Sequence, residues 1–175
     1  DMVKDSEESG INLHLISGDN VRTACKIAHD IGMITSEEYE DFKNGGKDVA
    51  MEATEFRELV GDVIKTEDAV EDGHEQTYSY ALDASKQEHF NEKVDSLKII
   101  GRAEPEDKLR LVVALKNSPD SNSDKQRRVA IVGEGINDVE AFDASDVSFA
   151  VQSGTSFARN KASMVLRTND FDSCL

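Results

Sequence analysis

A chain of 175 residues holds one domain, or a large piece of one. Its formal net charge of −16 argues against a nucleic-acid surface, which needs clustered Lys and Arg. No apolar run approaches the ~20 residues that span a bilayer, no signal peptide opens the chain, and Cys25 and Cys174 form no CxxC pair, which points to a reducing compartment without structural zinc.

In chain order, residues 1–9 are charged and read as a helix with Met2 and Val3 as its apolar positions, ended by Gly10. Leu13 to Ile16 reads as a short strand, followed by Ser17, Gly18, Asp19 and Asn20. Asn20 can cap a helix on which Val21, Ala24, Cys25, Ala28 and Ile31 share one face, closed by Gly32. A strand, a small hydroxyl, Gly, an acid and then a helix is an arrangement that cradles phosphate on backbone N–H groups at a helix N-terminus. Cys25, on the apolar face, is expected in the core. Residues 35–48 are polar, with Gly45 and Gly46 as a turn, and 53–60 (ATEFRELV) read as a helix with Phe56, Leu59 and Val60 inward. From about 61 to 95 acids outnumber bases, and Tyr78, Tyr80 and Leu82 alternate as a short edge strand. This stretch is expected to be an acidic surface insertion, mobile around 66–76, its charge run solvated and its His74 and His89 too isolated for metal ligands.

Leu97 to Ile100 reads as a strand. Pro105 then sits at the first turn of a helix whose buried stripe is Leu111, Val112 and Leu115. Lys108 lies in that first turn, where the helix dipole disfavours a cation. It is either a solvated surface lysine or one that reaches an anion at the carboxyl ends of the strands. Residues 117–126 form a polar connection. The run VAIVGEGIND at 129–138 reads as a buried strand, Val129 to Val132, broken by Gly133 and Gly135, with Asn137 as N-cap of the next helix. Glu134 and Asp138 then converge past the carboxyl end of a strand, where open α/β sheets put ligands. Two readings stand here: an ordinary Gly-rich turn with solvated acids, or a pair of carboxylates that repel unless a hard cation such as Mg²⁺ sits between them. Val139, Ala141 and Phe142 continue as a helix, Val147 to Val151 and Ser163 to Leu166 as strands, with a turn and short helix from Gly154 between them, and Asn169 as the cap of a last helix. Alternating strands and helices imply a mostly parallel α/β sheet covered on both faces.

Three pieces share one order: Ser17-Gly18-Asp19, Arg102 with Pro105 and Lys108, and Gly133 to Asp138. Together with Gly154 to Ser163 they resemble the haloacid-dehalogenase superfamily and, within it, the phosphorylation domain of P-type cation-transporting ATPases. The family's TGDN is similar to residues 17–20, its ARxxPxxK to 101–108, its TGDGxNDxPAL to 132–142 and its GTxxAxxAS to 154–163. The EFREL segment and the spacing look most like calcium pumps of the plasma-membrane type.

The resemblance implies a HAD-like, Rossmann-like fold over 1–175, as the carboxyl-terminal part of the phosphorylation domain with the 61–95 insertion. It implies that Ser17 and Lys108 bind the transferred phosphoryl group, with Asn137 near its oxygens. It also implies that Asp19 and Arg102 lie at the nucleotide and that Glu134 and Asp138 lie at Mg²⁺. ATP would be the substrate of the whole protein, in a domain facing the cytoplasm from a multi-pass membrane protein.

Departures from the pattern are Glu134 and Val132, where the family has Asp and Thr, and Ser17 for Thr, Glu140 for Pro and Met164 for Asp. The family's nucleophile motif, DKTGT, does not occur in the 175 residues, so its central strand is expected to be missing from the sheet. The chain is then either a fragment of a pump, inactive without the upstream DKTGT segment and the nucleotide-binding domain, or a non-catalytic HAD-like binding or regulatory module. A soluble phosphatase fragment is a third reading, disfavoured by the match beyond Gly154.

Overall fold

Hydrophobic alternation along two short strands sorts the core into two layers. The computed structural model describes residues 2–68, 77–119 and 126–167. In it β1 (Leu15–Ile16), β5 (Ile99–Gly101) and β2 (Ala50–Glu52) form a parallel sheet in the order β2-β5-β1. Side chains alternate between the faces of a strand. Ala50 and Ile99 therefore join one cluster, packed against Val21, Ala24, Cys25 and Ala28 of α2 (Val21–Asp30). Met51 and Ile100 join the other, packed against Phe56 and Val60 of α4 (Ala53–Val60), Phe90 of α5 (Ala84–Asn91) and Leu111 to Leu115 of α6 (Pro105–Lys116).

A second parallel sheet holds β6 (Ala130–Gly133), β7 (Val147–Ala150) and β8 (Met164–Val165) in that order. Helix α6 connects the two, packing on α4 and on α7 (Val139–Ala144). Among the described residues β1 and β6 are each the outermost strand of their sheet, and no ladder joins them. Mostly parallel strands with helices between them meet the expected α/β class. β1 and β6 are the two strands that the resemblance sets on either side of the family's nucleophile strand. Val129 is buried as expected, but Ala130 is exposed and Ile131 and Val132 are only half-buried, so the rest of the strand expected to be buried is an open edge.

Local chemistry explains several element ends. Gly10 and Gly32 have φ of 74° and 81°, the left-handed region that stops α1 (Met2–Glu8) and α2. Asn20 caps α2 by accepting from the Thr23 amide at 2.9 Å. Ile31, expected on the buried face, follows the last turn and is exposed. Between residues 35 and 52 two elements were not expected. Thr35 and Glu38 form a reciprocal capping box that starts α3 (Ser36–Lys43) inside the stretch read as polar, and β2 follows it.

The 61–95 stretch is only partly a surface feature. It opens with an antiparallel hairpin of β3 (Ile64–Glu67) and β4 (Tyr78–Ala81), which includes Thr66; residues 69–76 of the segment expected to be mobile lie outside the described residues. The rest packs inward: Leu82, Phe90 and Val94 are buried in the core, with Phe90 edge-on to Phe56 at 6.2 Å. Cys25 is buried as expected. The helix expected from Asn169, and Cys174, lie outside the described residues. No helix among the described residues is long and apolar enough to cross a membrane.

His14, just before β1, gives the fold a dependence on pH. Burial and the nearby cations Arg127 and Lys98 push its imidazole from 6.5 down to about 4, against a backbone hydrogen bond at Leu97. The unfolded chain takes up the proton near its ordinary value and the folded chain only near 4. Stability is therefore whole above that ordinary value and declines as pH falls from it towards 4. The melting temperature of the wild type is expected to drop more between pH 7 and pH 5 than that of His14→Gln. Equal drops would show that His14 does not couple protonation to folding.

Candidate functional site

The candidate residues other than Lys108 sit past the carboxyl ends of β1, β5 and β6, on segments tied by backbone hydrogen bonds. At the end of β1, the Ser17 hydroxyl accepts from the Asp19 amide at 3.1 Å, which folds the Ser17-Gly18-Asp19 loop on itself. The loop after β5 is stitched to it, with the Arg102 amide donating to the Asp19 carbonyl at 2.6 Å and the Ala103 amide to the Ser17 carbonyl at 2.9 Å. Arg102 has φ of 54°, in the left-handed region that a non-glycine residue seldom adopts. Its side chain is exposed, with Nε 4.0 Å from Glu52 at the end of β2. Gly101 must lack a Cβ, since one would lie 2.4 Å from the Val21 Cα.

The loop after β6 folds around Asp138. A 3-10 turn, Ile136–Asp138, precedes α7, so Asn137 lies inside the turn and is exposed; it does not cap the helix as expected. The Asp138 side chain turns back instead. Its Oδ2 accepts from the Glu134 amide at 2.9 Å and the Gly135 amide at 3.0 Å. Only glycine fits at 133, where a Cβ would stand 2.6 Å from that oxygen. The other oxygen, Oδ1, accepts from Lys108 Nζ at 2.5 Å. Burial works to raise the Asp138 pKa, but the bonds from Lys108 and the two amides outweigh it, and the carboxyl lies below its ordinary value. Lys108 is therefore not a solvated surface lysine: it reaches from the first turn of α6 to the end of β6.

Lys108 and Asp138 are brought together, and Ser17, Asp19 and Arg102 form a second group. Among the described residues no hydrogen bond or ion pair joins the two groups. Glu134 is exposed; Asp138 is 2 % exposed. No group of three or more His, Cys, Asp or Glu among the described residues could hold a metal by itself. The donor set nonetheless suits a hydrated cation. A carboxylate offers about four lone-pair sites, and three on Asp138 are taken, which leaves one on Oδ1. Mg²⁺ is commonly held by one or two carboxylates, with water and phosphate completing its octahedron.

One set of charged residues next to the site was not anticipated. Asp107, adjacent to Lys108, is fully buried and accepts four hydrogen bonds. Arg57 of α4 donates from Nε at 2.9 Å and from Nη2 at 2.6 Å, Arg110 from Nη1 at 3.2 Å, and the Glu104 amide at 2.8 Å. Burial alone would raise the Asp107 pKa; the Arg57 bonds lead the effects that hold it below its ordinary value. The sequence signal was an arginine inside EFREL and an acid at the third position of a Pro-initiated helix, neither of which names the other.

Comparison with known proteins follows the same lines. Residues 62–175 match the model of the haloacid dehalogenase-like hydrolases. Over nearly its whole length the chain is similar to transport ATPases. It is 26% identical to a calcium-transporting ATPase of Listeria monocytogenes, covering 97% of this chain and 14% of that protein. It is 31% identical to a plasma membrane calcium-transporting ATPase of Caenorhabditis elegans, covering 95% and 11%. A P-type sodium-transporting ATPase of Toxoplasma gondii is 29% identical, over 94% and 10%. The chain thus spans about a tenth to a seventh of the length of these relatives.

Proposed function

The chain belongs to the haloacid dehalogenase-like hydrolase family, and on that premise we propose that it is the carboxyl-terminal part of the phosphorylation domain of a P-type ATPase. That protein would couple ATP hydrolysis, through an aspartyl-phosphate, to cation transport, in a domain facing the cytoplasm from a membrane protein. Calcium is the favoured cargo, since the Listeria and Caenorhabditis relatives are calcium-transporting ATPases and the Toxoplasma relative a sodium-transporting one. The observation that carries the reading is the Lys108–Asp138 pair at the end of β6, on a loop that also carries the exposed Glu134.

Phosphoryl transfer asks for positioning and charge neutralisation more than for covalent chemistry from the scaffold. Lys108 and the Ser17 hydroxyl would bind the transferred group, and Asn137 would donate to its oxygens. Asp19 and Arg102 would meet the nucleotide. Glu134 and Asp138 would hold Mg²⁺, which when bound neutralises charge on the phosphoryl oxygens. The attacking carboxylate of DKTGT would come from outside these 175 residues, so the chain alone neither hydrolyses ATP nor forms an acyl-phosphate.

A non-catalytic binding or regulatory module is the second reading. It is favoured by an Asp138 carboxylate already held by Lys108 and two amides, and by Glu134 in place of the family's Asp. Calorimetry separates the two. The wild type is expected to bind Mg²⁺ weakly, Asp138→Asn at least about tenfold more weakly, which is ~1.4 kcal/mol, and Glu134→Asp more tightly because it restores the carboxylate that the family carries there. Equal Mg²⁺ affinity for the wild type and Asp138→Asn would refute the metal site and leave the second reading.

A further inference from the structure

Lys108 lies in an awkward place. Its cation sits in the first turn of α6, where the helix dipole opposes it, and it must span from the layer of the first sheet to a carboxylate at the end of β6. A lysine side chain has four rotatable carbons and loses much freedom when held in one pose. Something must fix the backbone beneath it. The Pro105 ring sets the start of α6, and the Asp107 carboxylate caps the Glu104 amide within the same turn, but both are internal to α6 and neither says how that turn is rotated against the rest of the molecule.

Arg57 supplies that reference. It stands on α4 between Phe56 and Val60, both fully buried, so its Cα belongs to one of the most firmly packed helices. Its guanidinium holds Asp107 with two parallel bonds and lies 3.2 Å from Glu104 as well. Arg110, one turn along α6, closes the other side of the same carboxylate and also donates to the Gly61 carbonyl at 3.2 Å, just past the end of α4. The planar fork of arginine fixes orientation in a way that a lysine point charge does not. Asp107 and Lys108 are neighbours in the chain, so whatever orients Asp107 sets the direction from which Lys108 starts.

We propose that Arg57 is a positioning residue for Lys108, acting through Asp107, so that the E-F-R-E-L segment sets the geometry of the phosphoryl site without touching it. The proposal rests on the reading of Lys108 and Asp138 given above. Sites that hold a reacting group tolerate little error, a misplacement of about 1 Å costing on the order of 100-fold in rate, and such a clamp meets that demand.

The test uses the labelled 175-residue chain, without metal, and the side-chain ammonium and Cε resonances of Lys108, assigned by their loss in Lys108→Met. Asp138→Asn gives the position these signals take when the lysine has no carboxylate partner. In Arg57→Ala and Arg57→Lys the Lys108 signals are expected to move towards that position while amides of α2 and β8 stay where they are. Arg57→Lys keeps the charge and is expected not to restore the wild-type signals. A lowered melting temperature with unmoved Lys108 signals in either variant would make Arg57 merely structural and overturn the proposal. Failure of both variants to fold would overturn it too, because the clamp would then be a requirement of folding and not of position. Mg²⁺ added to the wild type reads the phosphoryl-site assignment separately: no response at Glu134 or Asp138 would sink that assignment while the Arg57 result still stands or falls by the metal-free Lys108 signals.

Discussion

Asp107→Ala is expected to destabilise the chain by about 3–5 kcal/mol, the cost of breaking a buried ion pair by removing one partner. The carboxylate is fully buried and all four of its acceptor positions are used. Its removal leaves Arg57 and Arg110 facing each other across a cavity, with the Glu104 amide uncapped. Arg57 is 28% exposed and can recover some hydration, which holds the cost towards the lower end of that range. Net stabilities of single domains are only ~5–15 kcal/mol, so the variant should lose a large fraction of the stability of the chain. Urea denaturation of the two chains measures it. A difference under about 1 kcal/mol, the value of an exposed pair, would mean that the cluster is open to water.

The same cluster has a pH signature of definite sign. Because the folded-state pKa of Asp107 is depressed, its contribution is present above the ordinary carboxyl value and is lost as pH falls through the lower folded value. That window lies below the one set by His14. Acid unfolding should therefore come in two stretches, with only the upper one removed in His14→Gln.

These two groups mark where sequence reading stops. Helix α2 was legible in full, because its cap, its apolar stripe and its closing glycine lie within thirteen consecutive positions, and only Ile31 fell outside the pattern. Helix α3 was missed although Thr35 and Glu38 spell a capping box, because no residue in it is fully buried and so no hydrophobic period announced it. The stretch 61–95 was misjudged in its second half: its charges are on the surface, but Leu82, Phe90 and Val94 carry it into the core. The site followed the same rule. Glu134 and Asp138 lie four residues apart and share one loop, but Asp138 turns its carboxylate into backbone amides while Glu134 is exposed, which the spacing alone did not indicate. That Asp138 is answered by Lys108, thirty residues earlier in the chain, and Asp107 by Arg57, fifty residues away, depends on how α4, α6 and β6 come together. Charges paired across such distances leave no period or spacing to read.

The open edges of β1 and β6 lead to the largest functional effect expected. Both strands run parallel to their one neighbour and leave the other side unpaired among the described residues, with Leu15, Ile16, Ile131 and Val132 only half-buried. The unpaired backbone groups of such an edge are a template for another strand, and each costs ~1–3 kcal/mol where it is buried without a partner. On the proposed function, that strand is apolar, parallel, and ends in DKTGT. A synthetic peptide of this kind should bind at these edges and raise the melting temperature. At 100 times its Kd it would add ~2.7 kcal/mol, or roughly 5–11 °C at ~2–4 °C per kcal/mol for a chain of this size. Its aspartate carboxylate would then lie before Lys108 and Ser17. With acetyl phosphate supplied as donor, one carboxylate oxygen attacks phosphorus, the bond from phosphorus to the acetyl oxygen breaks, and acetate leaves, so that the peptide gains one phosphoryl group detectable by mass. The same peptide with Asn for that Asp should stabilise the chain equally and gain no mass, and Lys108→Met should still bind the peptide while slowing its phosphorylation. A scrambled peptide that raises the melting temperature as much, or Mg²⁺-dependent ATP hydrolysis by the chain on its own, would rule out this role for the open edges of β1 and β6.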